Sequence, residues 1–173
     1  TGYLPGGIGI YQKHFATPTA PDTKSVFVLF DGVYNNAKFY LNGNALGENP
    51  YGYSPTYFDL TPHLKRDGSE NVLTVHVDRS RYVDSRWYTG SGIYRDVKLI
   101  IVDRLHIPIW GVFVSTPEMT DEAAKLNVET RVRNARSTDQ DIVVTTKIVA
   151  PDGRVVETMS SALRVASNQV ITI

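Results

Sequence analysis

The sequence predicts an all-β chain. Its ordered-looking runs are short, and each is either wholly apolar or alternates apolar with polar residues. Turn-forming pairs such as Asn42-Gly43 and Asp152-Gly153 separate these runs. Nowhere does an apolar period of three to four residues last for a dozen positions, so helix content should be low.

Ser25–Asp31 (Ser-Val-Phe-Val-Leu-Phe-Asp) is continuously apolar at its centre, as expected of a strand buried on both faces. Ala37–Leu41 follows and runs into Asn42-Gly43, which suits a tight hairpin because both residues tolerate positive φ. In Phe58–Lys65, Asp59 or Thr61 is positioned to cap one helical turn starting near Pro62. Asn71–Asp78 sets Leu73, Val75 and Val77 on one face and Val72, Thr74 and His76 on the other. Val97–Val102 is a further apolar strand.

A boundary falls near Asp103–Pro108. Before it, loops are long and rich in Gly, Asn, Pro and Tyr; after it, the alternation is cleaner. Leu126, Val128, Thr130 and Val132 face one way, and Asn127, Glu129, Arg131 and Arg133 the other. Asp141–Val149 repeats the pattern with Ile142, Val144, Thr146 and Ile148 inward. A turn at Pro151-Asp-Gly153 then leads into a strand at Arg154–Met159. This spacing argues for an immunoglobulin-like β-sandwich over 104–173, following a first domain over 1–103. A complete sandwich of that type needs roughly 100 residues. The chain also stops inside the apolar run Val170-Ile-Thr-Ile173, so it is expected to be a piece of a longer protein with strands missing from its second domain.

Composition narrows the function. Lys+Arg and Asp+Glu balance at 18 each, which leaves no long-range field to gather nucleic acid or an anionic membrane. No apolar run approaches the length of a membrane-spanning helix. Cysteine is absent, which removes disulfides, thiolate metal sites and cysteine nucleophiles and fits a bacterial cytoplasm, periplasm or exterior alike. His14, His63, His76 and His106 show no metal-ligand spacing. The acids sit beside turns (Asp31, Asp67, Asp152), beside arginines (Asp84, Asp96) or on an exposed strand face (Glu129), and none forms a catalytic pair. No Gly-x-Ser-x-Gly elbow is present, and Gly90-Ser91-Gly92 precedes a strand rather than a phosphate-binding helix. No catalytic residue, metal or cofactor is therefore assigned.

Binding is better supported. Ser85–Leu99 packs Arg86, Arg95, Trp87, Tyr88 and Tyr94 around a Gly-Ser-Gly turn. Rings beside guanidinium donors suit a flat ligand studded with hydroxyls. The same residues would also serve if Trp87 plugged the sheet and Arg86 paired with Asp84 or Asp96. Tyr34, Asn35 and Asn36 occupy the loop between two buried strands. Their amides either pair with adjacent sugar hydroxyls or serve the turn itself.

Four stretches, in order, resemble glycoside hydrolase family 2, most closely its β-galactosidases. They are Gly6–Phe15, Phe30–Gly43, Phe58–Thr61 leading into Asn71–Val77, and Ser85–Val97, the last being the most specific. The match is strong over 1–103 and beyond that rests on strand pattern and position. The resemblance implies a jelly-roll, galactose-binding-like β-sandwich lacking its beginning, then an immunoglobulin-like sandwich. It also implies a (β/α)8 barrel, absent here, that carries the two glutamates of a retaining mechanism. In such enzymes loops of the first domain help shape the sugar pocket. Arg86 and the Tyr34–Asn36 loop are the matching contributors, with Asp84 and Trp87 beside them. One branch of the family uses an aspartate in this loop. Arg86 holds that place here and Asp84 lies two residues earlier, so no metal is expected. The implied partners are a β-galactoside and the barrel of the same polypeptide, with self-association of the parent enzyme left open. The alternatives are an independent carbohydrate-binding module, or a piece of a β-glucuronidase or β-mannosidase.

Overall fold

A computed structural model describes residues 7–19, 22–80 and 90–173. The described residues are all-β apart from one 3₁₀ turn at Thr61–His63, and the chain divides into two compact units, Thr1–Val102 and Asp103–Ile173.

The first unit contains β1 (Ile8–Phe15), β2 (Lys24–Phe30), β3 (Val33–Tyr34), β4 (Ala37–Leu41), β5 (Asn44–Asn49), β6 (Thr56–Asp59), β7 (Asn71–Asp78), β8 (Gly92–Ile93) and β9 (Val97–Asp103). A four-stranded sheet runs β1-β7-β4-β5, a three-stranded sheet β6-β2-β9, and β3 pairs with β8. The two larger sheets close on one core. Val26, Val28 and Phe30 of β2 join Ala37, Phe39 and Leu41 of β4 and Leu73, Val75 and Val77 of β7. Phe39 touches both Phe30 and Phe58, with ring centroids 4.7 Å apart in each pair. The result is a β-sandwich in which β2 is buried on both faces and β7 on alternate residues, as the sequence predicts.

The turns follow from residue type. Asn42 (φ 52°) and Gly43 (φ 83°) form the β4–β5 hairpin turn, both in the left-handed region that this turn requires. Asn44–Asn49, weak in strand propensity, becomes a strand because that hairpin lays it against β4. Asp59 Oδ1 accepts from the Thr61 backbone N–H at 2.9 Å and turns the chain into Thr61–His63, with Pro62 in the first turn. The N-cap position itself is Leu60, without a side-chain capping bond, so neither Asp59 nor Thr61 is the cap weighed from the sequence. Thr61 Oγ1 instead accepts from the backbone N–H of Val26 at 2.9 Å.

A buried asparagine and a half-buried one hold this end of the core. Asn71, fully buried, accepts from Lys65 N–H (2.9 Å) and Asn42 Nδ2 (3.0 Å) and donates to Thr17 Oγ1 (2.8 Å). Asn42 in turn accepts from Val72 N–H at 2.9 Å and donates to the His63 carbonyl at 2.8 Å. The apolar strand β9 is less covered than β2: its Val97, Leu99 and Ile101 are exposed. β9 ends its sheet among the described residues, and Val97 and Leu99 line an apolar cleft of about 450 Å³ with Tyr11 and Phe15 of β1.

The second unit contains β10 (Leu105–His106), β11 (Val112–Met119), β12 (Ala124–Asn134), β13 (Gln140–Val149), β14 (Val155–Val165) and β15 (Val170–Thr172). β12 pairs with β10, β11 and β15, while β13 and β14 form a long hairpin. Thr130 and Val132 of β12 point inward, and Ile142, Val144, Thr146 and Ile148 share the less exposed face of β13. The β11–β12 register shifts between Ser115 and Glu118, across Pro117, which has no N–H to give the ladder. β14 runs six residues beyond the expected end at Met159. Ser160-Ser161-Ala162 are poor strand formers, but β13 offers a continuous partner as far as Gln140. Gly153 (φ 87°) makes the hairpin turn. Asn134, fully buried, donates to the Val165 carbonyl at 3.0 Å and so ties β12 to the end of that hairpin. Asp139 is held below the usual carboxylate pKa, chiefly by the Ser167 backbone N–H and then by Arg164.

Candidate functional site

Pairing of β3 with β8 sets Val33 opposite Ile93 and Tyr34 opposite Gly92. Through this short ladder, the Tyr34–Asn36 loop lies against the chain that leaves the 81–89 segment. The Tyr34–Asn36 loop and the described part of the Ser85–Leu99 stretch are thus neighbours. Asp84, Arg86 and Trp87 themselves lie outside the described residues.

Tyr34 is only 8% exposed. Its ring meets Tyr53 at 5.2 Å between centroids and the Arg79 guanidinium at 5.2 Å. Arg79 also donates from Nη1 to the Gly90 carbonyl at 2.5 Å, and its N–H to the Gly7 carbonyl at 2.8 Å. Just before it, Asp78 Oδ1 accepts from the Ser80 N–H and hydroxyl, at 2.9 and 2.6 Å. Arg79 therefore ties the end of β7 to Gly7 and Gly90 and packs on the Tyr34 ring.

Asn36 adopts φ 45°, donates from Nδ2 to the Asp78 carbonyl at 3.2 Å and from N–H to the Pro50 carbonyl at 3.3 Å. Its amide thus serves the loop while its side chain stays exposed. Asn35 is half-buried, and its Oδ1 is enclosed without a hydrogen-bond partner among the described residues. Such an acceptor loses hydration without compensation and gains from any donor brought to it. Beside this loop, Asn36, Lys38, Glu48, Pro50, His76 and Asp78 line a polar cleft of about 280 Å³.

The third component, missed in the sequence, is Pro50-Tyr-Gly-Tyr-Ser-Pro55. Asn49 Oδ1 accepts from Tyr51 N–H at 3.1 Å, and Tyr94 Oη donates to the Gly52 carbonyl at 2.9 Å. Gly52 lies so close to Tyr34 that a Cβ there would collide with the ring and come within 2.8 Å of Tyr34 Cα. Two tyrosines in a proline-bounded loop were the available signal for this component; the distant Arg79 carries none. Behind the site, Lys98 Nζ pairs with Asp31 Oδ2 at 2.5 Å, a contact that raises the lysine pKa. Among the described residues no three His, Asp or Glu side chains converge as a metal site. Among the described residues, this end of the first unit brings together the Tyr34 and Tyr53 rings, the Asn35 and Asn36 amides and the Arg79 guanidinium.

The model for the sugar-binding domain of glycosyl hydrolases family 2 matches residues 5–103. The chain belongs to glycoside hydrolase family 2. The family 2 β-galactosidase BoGH2A of Bacteroides ovatus is 41% identical over 98% of this chain, which spans 20% of that protein. A β-glucuronidase of Formosa agariphila is 35% identical over 92% of this chain, which spans 18% of it. Among solved structures, the Bacteroides uniformis β-glucuronidase superposes with a TM-score of 0.87 at 29% identity, over 97% of this family 2 chain and 21% of that one. The chain thus spans about a fifth of the length of these relatives.

Proposed function

We propose that this family 2 chain is the non-catalytic N-terminal part of a β-galactosidase, and that its loop end forms one wall of the substrate pocket. The observation that carries this reading is the β3–β8 pairing, which sets Tyr34 opposite Gly92, in the stretch that follows residues 81–89 in sequence. Arg86 and Asp84 would contribute hydrogen bonds to sugar hydroxyls, Trp87 a stacking face, and Asn35 and Asn36 amide groups. Tyr34, being buried, would support the wall from behind. The acid/base and nucleophile would come from a barrel elsewhere in the polypeptide, which the 104–173 sandwich would join to the first domain. A galactoside is preferred because the relative at 41% identity is a β-galactosidase, while the β-glucuronidase from Formosa is 35% identical.

Calorimetric titration of the 173-residue chain with β-galactosides tests the division of labour. One wall without the other is expected to give no saturable binding, while the full-length enzyme hydrolyses the same compounds. Micromolar binding by the chain alone would make it a self-sufficient carbohydrate-binding module instead. Faster turnover of β-glucuronides than of β-galactosides would reassign the sugar.

A further inference from the structure

Tyr51 and Tyr53 remain exposed, at 61% and 46%, in the loop that braces the proposed wall. Their rings meet edge to face at 5.6 Å between centroids, inclined by 67°. Tyr53 leans in turn on buried Tyr34. Isolated surface aromatics are ordinary, but a contiguous pair on a braced loop is a prepared surface.

The bracing is extensive. Asn49 accepts from the Tyr51 backbone at one end and donates to the Ser54 carbonyl at 3.4 Å at the other. Tyr94 holds Gly52 in the middle, and Gly52 has no side chain to keep the loop off Tyr34. Little ordering is left for a ligand to impose, which is the condition under which exposed rings bind most effectively.

We propose that Tyr51 and Tyr53 form a stacking platform for a second pyranose ring of the substrate, the one on the leaving-group side of the scissile bond. This rests on the reading that the loop end borders the substrate pocket. A pyranose presents an apolar C–H face to an aromatic ring and keeps its hydroxyls at the rim. Two rings inclined to each other offer one such face together with phenolic hydroxyls as hydrogen-bond partners. The polar cleft reached through Pro50, with Lys38 and Glu48 on its walls, continues the surface with donors and acceptors for the remaining hydroxyls. The platform makes the enzyme an oligosaccharide hydrolase that reads the sugar beyond the bond it cleaves.

The test compares the full-length enzyme with its Tyr51→Ala and Tyr51→Phe variants. The two substrates are a disaccharide and the methyl β-glycoside of the same non-reducing sugar. In Tyr51→Ala the ratio of kcat/KM for disaccharide over methyl glycoside should fall about three- to tenfold, through KM, as expected for losing one aromatic contact. Tyr51→Phe, which keeps the stacking face, should retain most of the ratio. An unchanged ratio in Tyr51→Ala overturns the platform, including the case where both substrates suffer equally because the loop packs on another part of the enzyme. A wild-type enzyme that cleaves neither β-glycoside overturns the underlying pocket reading and the platform with it.

Discussion

Asn71→Ala is expected to destabilise the first unit by about 3 kcal/mol, the largest single loss of polar contacts in its core. Asn71 is fully buried and joins three chain segments. Its Oδ1 takes the Lys65 N–H and the Asn42 amide, and its Nδ2 reaches Thr17 and, at 3.5 Å, the Phe15 carbonyl. Alanine cannot replace any of these bonds, and the cavity is too enclosed for solvent to satisfy every group left behind. Each buried group left unpaired costs about 1–3 kcal/mol, and the groups here are coupled because Asn42 also fixes the β4–β5 turn. Urea denaturation of the chain and of the variant measures the difference directly. Asn44→Ala is the control. Asn44 is exposed, and its amide contacts, at 3.2 and 3.5 Å, lie within its own turn, so its loss should cost no more than about 0.5 kcal/mol. Equal losses in the two variants would show that the buried network is not what holds this end of the sandwich.

Gly52→Ala is expected to lower kcat/KM of the full-length enzyme on the order of tenfold while leaving it folded. The added methyl would press on Tyr34, coming to 2.9 Å from its Cβ and 2.8 Å from its Cα. Tyr34 cannot retreat, because Arg79 covers its ring and β3 is paired with β8. The 50–55 loop must move instead, breaking the Tyr94 hydrogen bond to Gly52 and displacing both exposed tyrosines. Overpacking of this kind costs about 1–3 kcal/mol of stability. The displacement matters more for function, since a shift of about 1 Å at a binding surface can cost two orders of magnitude in rate. Steady-state kinetics on a β-galactoside, with a thermal melt to confirm folding, decides the matter. Unchanged kinetics would separate the 50–55 loop from the substrate wall.

The parts of the fold legible in the sequence are those where one local pattern dominates. β2 could be read from continuous apolarity, and β7 and β12 from alternation. Asn42-Gly43 betrayed its turn because few other pairs accept two positive φ values. What escaped reading depends on partners distant in sequence. β5 is a strand by virtue of its hairpin, and the second half of β14 by virtue of β13. The buried roles of Asn71 and Asn134 look, in sequence, like ordinary turn chemistry. The candidate site divides the same way. Tyr34–Asn36 stood out as an aromatic and amide loop, yet the structure turns Tyr34 inward and leaves Tyr51 and Tyr53 outside. That reversal is set by Gly52 and Arg79, one lacking a side chain and the other 45 positions beyond Tyr34.

The central claim is that this end of the first unit is one wall of a glycosidase pocket, and Arg86→Ala in the full-length enzyme addresses it most directly. Arg86 lies in sequence between Arg79 and Gly90, which are hydrogen-bonded to each other, and shortly before Gly92, which pairs with Tyr34. If it donates one or two charge-assisted hydrogen bonds to substrate, their loss at about 1.5–3 kcal/mol each lowers kcat/KM by tenfold or more. Unchanged kinetics in a folded Arg86→Ala enzyme would contradict the account and leave the domain a structural support for the rest of the protein.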